Sequence, residues 1–193
     1  MNGRSLDVAH VLMAADPTAP HWNNAITLAD EMSKQGVMTT IACVREPSTA
    51  AWLRAKKVTG LQLRLEGAAK EGNPGPQEWM LFLETLIQPD LVQLFIPTHA
   101  TLPWRSPTVL ALDATTLDNG GPALTAAITA AHLLVIADEL DNERLLAVCD
   151  DNPYAAIIPK NANLGRNYLL AYQETIQAAR IEACDRPDRF ELI

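Results

Sequence analysis

Cysteine is scarce in this chain and poorly spaced for chemistry. Cys43, Cys149 and Cys184 lie far apart among 193 residues, with no CxxC pair and an odd total. That pattern argues against a disulfide framework and against a zinc site, and it favours a reducing, cytoplasmic compartment. Positive charge is also in deficit, with 15 Lys and Arg against 23 Asp and Glu and a formal net charge of -8. Nucleic acid is therefore not an expected partner, because a phosphate backbone calls for clustered cations. No apolar run reaches the ~18–20 residues of a membrane span. The opening MNGRSLDVAHVLMAA lacks the pattern of a signal peptide. Aromatic residues make up only 5% of the chain, so Ala and Leu must fill the interior.

The familiar catalytic patterns are missing as well. There is no GxSxG elbow, no GxxxxGK[ST] phosphate loop, no HExxH and no calcium-binding loop. Neither a metal nor a cofactor is expected from the residues present.

What the chain does have is a regular alternation of short apolar runs and helical patterns. Strands are expected at residues 7–15, 37–44, 61–67, 91–98, 108–114, 133–139 and 154–160. Helices are expected between them, including 48–58, 78–88, 123–131 and 141–151, and a last one over 163–184 with Leu164, Tyr168, Tyr172, Ile176 and Ala179 on one face. The run KEGNPGP, residues 70–76, reads as a loop. This βα alternation predicts a single Rossmann-like α/β domain over 1–193: a doubly wound, mainly parallel sheet with helices on both faces (1–160) and a long C-terminal helix.

In such a sheet ligands sit outside the carboxyl ends of the strands, near the point where strand order reverses. The rule selects Asp16, Thr18, His21 and Asn23 after strand one, and Arg45 and Glu46 after strand two. It also selects His99, Thr101 and Arg105 after strand four, Asp113, Thr115 and Thr116 after strand five, and Asp138 and Glu139 after strand six. The first loop, AADPTAPHWNNA, contains no glycine, so its backbone cannot approach a pyrophosphate as GxGxxG does. The helix start behind it still offers free N–H groups to a carboxylate, a sulfate or a sugar hydroxyl. The competing reading is that Asp16 and Thr18 only turn and cap the chain while Trp22 packs on the sheet. His99 and Asp113 could form a base and its orienting carboxylate. Against this, loop histidines and strand-end aspartates are common without any chemistry. Arg105, beside Trp104 and between prolines, is either an anion contact or a solvated cation. His10 and His132 are read as packing residues.

The order of segments resembles the opening of retaining GT-B glycosyltransferases of the family 4 type. Leu28, Ala29, Met32 and Gly36, then Val37, Thr39 and Thr40, are similar to its LAxxLxxxGHxVTV pattern. IQPDLVQLFIPTHA resembles its PDLV segment, PTVLALDATT its fifth-strand segment, and AAHLLVIADEL its ADxVIA segment. The resemblance implies an acceptor-binding half of a two-domain enzyme, with the donor domain lacking and the last helix crossing back onto the first domain. It implies a sugar or glycan acceptor held by Asp16, Thr18, His21, Asn23, Arg105 and Thr115, and a donor-domain partner chain or a homodimer completing the site. Two other readings stay open: a non-catalytic interaction module on the same fold, and a small-molecule enzyme using His99 and Asp113.

Overall fold

The computed structural model describes residues 8–43, 45–65, 75–113, 116–117, 121–136, 154–158 and 163–185. Asp7, Val44, Thr115, Asp138, Glu139, most of the 70–76 loop and the helix expected over 141–151 lie outside the described residues. The strands are β1 (His10–Ala15), β2 (Met38–Cys43), β3 (Leu61–Leu65), β4 (Leu91–Leu94), β5 (Thr108–Leu112), β6 (Leu133–Ile136) and β7 (Ala155–Ile157). The helices are α1 (His21–Lys34), α2 (Thr49–Ala55), α3 (Pro76–Ile87), α4 (Pro122–Ala130) and α5 (Leu164–Asp185), with a 3-10 turn at Pro97–His99.

All seven strands pair in parallel, in the order β3-β2-β1-β4-β5-β6-β7. The expected α/β class and long last helix are therefore both present. Strand alternation divides the core between two faces. Val11, Met13 and Ala15 of β1 point to the side covered by α1 and α5, whereas Leu12 and Ala14 point to the side covered by α3 and α4. The central strands are apolar on both faces for this reason, and β3 at the edge alternates in exposure.

α1 buries Trp22, Ala25, Ile26, Leu28, Ala29 and Met32 at helical spacing. Gly36 follows it at φ +79°, a left-handed conformation that suits glycine. Thr18 does not cap this helix, contrary to the reading in which it caps the chain. Pro20 holds the cap position and supplies no side-chain hydrogen bond, because Thr18 turns back onto Asp16. The second helix is shorter than its pattern, ending at Ala55 before a turn through Lys56 and Lys57.

α5 lies against α1 and reaches the middle of the sheet. The fully buried Tyr172 hydroxyl donates to Gln93 Oε1 of β4 at 2.9 Å. Gln93 Nε2 in turn donates to the carbonyls of Leu94 and Val109, each at 3.2 Å. Gly165 allows the two helices to meet, since a Cβ there would sit 2.7 Å from the Glu31 carbonyl oxygen. Gly165→Ala should therefore push α5 from α1 and lower stability by about 1–3 kcal/mol in chemical denaturation. Gly60→Ala, strained by its φ of +72° but with open space around it, should leave the helix pair intact. Unchanged stability in Gly165→Ala would show that this close approach is not needed.

Candidate functional site

The strand order reverses between β1 and β4: the chain leaves β1 toward β2 and β3, then returns to β4 and moves outward through β5. The loops after β1 and β4 therefore lead away from each other, and their carboxyl ends are where this architecture places a ligand crevice. Asp16 and His21 enter it from the β1–α1 turn, Phe95 and His99 from the segment after β4, and Asp113 from the end of β5.

His21, not His99, is the residue that these segments share. Its ring stacks on Phe95 with centroids 6.0 Å apart and planes 9° from parallel. Its Nε2 accepts the Asp16 backbone N–H at 3.1 Å, which assigns the proton of the neutral ring to Nδ1. Burial holds its pKa below the ordinary histidine value, and the carboxylates of Asp16 and Asp113 offset part of that shift. A neutral imidazole with a free Nδ1–H results.

Each carboxylate near His21 is partly committed. Asp16 Oδ1 accepts the N–H and hydroxyl of Thr18 at 2.8 and 2.7 Å, and Oδ2 lies 3.5 Å from Arg45 Nε. Burial pushes the Asp16 carboxyl up, but the Thr18 hydrogen bonds and the Arg45 charge more than offset it and leave the group below its ordinary value. Asp113 Oδ1 accepts the N–H and hydroxyl of Thr116 at 2.7 and 2.6 Å. Its Oδ2 has no partner among the described residues.

His99 is 8% exposed, and its Nδ1 is buried without a hydrogen-bond partner among the described residues. Its carbonyl accepts Trp104 Nε1 at 2.8 Å, which pins the segment. Burial, followed by the neighbouring His21, pushes its pKa down to about 4. The expected His99–Asp113 couple is not formed: His99 is next to His21, and Asp113 is held by Thr116.

Two other expected contacts leave the crevice. Asn23 is exposed on α1 and accepts a hydrogen bond from Arg54, so it faces α2. Arg105 follows β4 in the chain but has travelled to the other end of the sheet, just before β5. The buried Glu84 anchors it there by accepting the N–H groups of Arg105 and Ser106 at 2.8 and 2.7 Å. Thr115 lies outside the described residues. Phe95 was not singled out from the sequence; the run LFIP carries only a strand signal. Among the described residues, no group of three or more His, Cys, Asp or Glu is placed to hold a metal ion, and no helix is long and apolar enough to cross a membrane.

No family model and no curated protein matches the chain. Among solved structures, it is similar to the hydrogenase maturation factor HypB from Archaeoglobus fulgidus, at a TM-score of 0.51 and 16% identity, over 90% of this chain and 89% of that one. A hypothetical protein from Xanthomonas campestris aligns over 96% of this chain and 90% of that one at 11% identity, with a TM-score of 0.36 that bears on nothing further. The HypB likeness is one of fold alone.

It nevertheless overturns the glycosyltransferase resemblance, because the fold matches a hydrogenase maturation factor nearly end to end and not a GT-B domain. The structure explains why the segments misled. The PDLV signature is a structural device: Asp90 Oδ2 accepts the N–H groups of Ala9 and His10, at 2.8 and 3.0 Å, and joins the starts of β1 and β4. Leu28, Ala29 and Met32 form the buried face of α1, and Gly36 ends it. Any parallel βα unit can spell these residues. The reading of an acceptor half awaiting a donor domain falls with the resemblance, and the non-catalytic interaction module on the same fold gains no support from the HypB likeness. The small-molecule enzyme using His99 and Asp113 gains no support either, since no hydrogen bond joins the two among the described residues.

The histidines whose charged form is disfavoured in the fold make stability depend on pH. For His99, with a folded pKa of about 4 against an ordinary value near 6.5, the unfolded chain binds the extra proton. Its contribution is fully present above pH ~6.5 and is lost as pH falls toward 4. His10, His21 and His132 are shifted in the same direction, each chiefly by burial. Unfolding free energy should fall between pH 7 and 4.5, with a His99 share of no more than about 3 kcal/mol. His99→Gln should flatten that slope, and a nuclear magnetic resonance titration placing His99 near 6.5 would contradict it.

Proposed function

We propose that the crevice at the carboxyl ends of β1, β4 and β5 binds a small hydroxylated ligand of the sugar or polyol type, with His21 as its central contact. The observation that carries this reading is the convergence of Asp16, Phe95, His99 and Asp113 on one neutral imidazole. Hydroxyl groups both donate and accept. They can serve both the His21 Nδ1–H and the Asp113 Oδ2 that has no partner among the described residues.

A phosphate is a poorer match. Two carboxylates stand near the crevice, and the turn DPTAP has no glycine to let the backbone wrap an anion. The buried free thiol of Cys43, with its pKa pushed up to about 12 by burial, suits the reducing cytoplasm we assign to the protein.

Binding is best read by saturation-transfer magnetic resonance against a panel of monosaccharides and linear polyols. At least one should bind, and His21→Ala or Asp113→Asn should each weaken it by about tenfold, the cost of losing one hydrogen bond to a charged or buried partner. Thermal unfolding confirms that the variants are folded. A panel with no binder, or a binder indifferent to both variants, would remove this reading.

A further inference from the structure

The amino ends of β4, β5 and β6 form a second concavity, away from the crevice and roofed by α5. Its volume is about 430 Å³, within the range of small-ligand pockets. Arg105 enters it from the segment before β5 and Arg180 from α5. Neither guanidinium has a hydrogen bond or ion pair among the described residues. Two guanidinium groups without a partner among the described residues therefore line one cleft, together with the carboxylates of Asp90 and Glu182.

We infer that this cleft is a binding site for a small organic oxyanion, a carboxylate or phosphate monoester with a short apolar body, held between Arg105 and Arg180. Both guanidinium groups can grip such an oxyanion in bidentate fashion. His132 supplies a third donor. Thr108 donates its backbone N–H to His132 Nδ1 at 3.2 Å, so the neutral ring carries its proton on Nε2. Burial keeps that ring below its ordinary pKa, with the Glu182 charge acting weakly against it. Ile176 and Ala179 of α5 provide the apolar wall.

The other polar groups of the cleft are accounted for. Asp90 is engaged by the amides that open β1, and the Ser106 hydroxyl donates to the Pro89 carbonyl at 3.0 Å. Glu182 is exposed, where water screens it. The cleft is also built in advance on one side. The buried Glu84 carboxylate fixes the Arg105 and Ser106 backbone, so a ligand does not have to order that segment. The expectation that His132 only packs is thus incomplete, since it lines a cleft as well.

The probes are succinate and inorganic phosphate, titrated calorimetrically at constant ionic strength, with the His132 imidazole followed by nitrogen-15 resonance. At least one probe should bind saturably and shift the His132 Nε2 signal; which one binds separates carboxylate from phosphate recognition. Arg105→Gln and Arg180→Gln should each weaken binding by about tenfold or more. Arg64→Gln, on the distant β3, should change nothing. Arg105 and Arg180 are exposed, so both variants should melt like the parent protein. The inference is overturned if neither probe binds at millimolar concentration, or if binding survives in the Arg105→Gln/Arg180→Gln double variant.

Discussion

Gln93 sits in the middle of β4 with no water to solvate it, so each of its polar atoms must find a partner inside the protein. Its amide nitrogen bonds two strand carbonyls, and among the described residues its oxygen accepts from the hydroxyl of Tyr172 alone. That requirement fixes where α5 crosses the sheet. Leu and Val in the same place would attract any apolar helix in several registers, whereas a buried amide accepts one. Once α5 is set, its N-terminal turn must pass α1 at Gly165, and its last turns must roof the amino ends of β4 to β6. The position of α1 then fixes His21 at the other end of the sheet.

The two ends of the sheet therefore have different chemistry on one scaffold. At the carboxyl ends, neutral imidazoles stand beside carboxylates; at the amino ends, two arginines join a neutral imidazole and the carboxylates of Asp90 and Glu182. The segment between β4 and β5 serves both. It contributes Phe95 and His99 to one end and Arg105 to the other, and the Trp104–His99 and Glu84–Arg105 bonds hold it at each end. An apparently featureless proline-containing loop thus reaches both sites.

Much of the fold was legible because parallel strands buried on both faces are uniformly apolar, and because helices show their buried side at every third or fourth residue. Met13, Leu94 and Leu110 advertise one; Ala25, Leu28 and Met32 the other. The site was less legible for two reasons. The rule that ligands lie at strand carboxyl ends picked out Asp16, His21, His99 and Asp113, but pairing among them depends on loop geometry. Asp113 was spent on Thr116, and His21 found Phe95 through a stacking that no spacing encodes. Arg105 was misplaced because a loop's length says nothing about which end of the sheet it reaches. The glycosyltransferase resemblance failed on similar grounds. Asp90 and Gly36 are required by strand registration and helix termination in this architecture, whatever chemistry the loops carry.

The turn that opens α1, Asp16-Pro17-Thr18-Ala19-Pro20, has two residues whose φ is locked by their rings and an aspartate that clamps the next threonine but one. A glycine-rich phosphate loop gains its reach through backbone freedom, which must be surrendered each time a ligand is enclosed. This turn has little such freedom to surrender. A ligand placed against it would pay little entropy for ordering the loop, and selection among ligands would rest on fit to a nearly fixed outline.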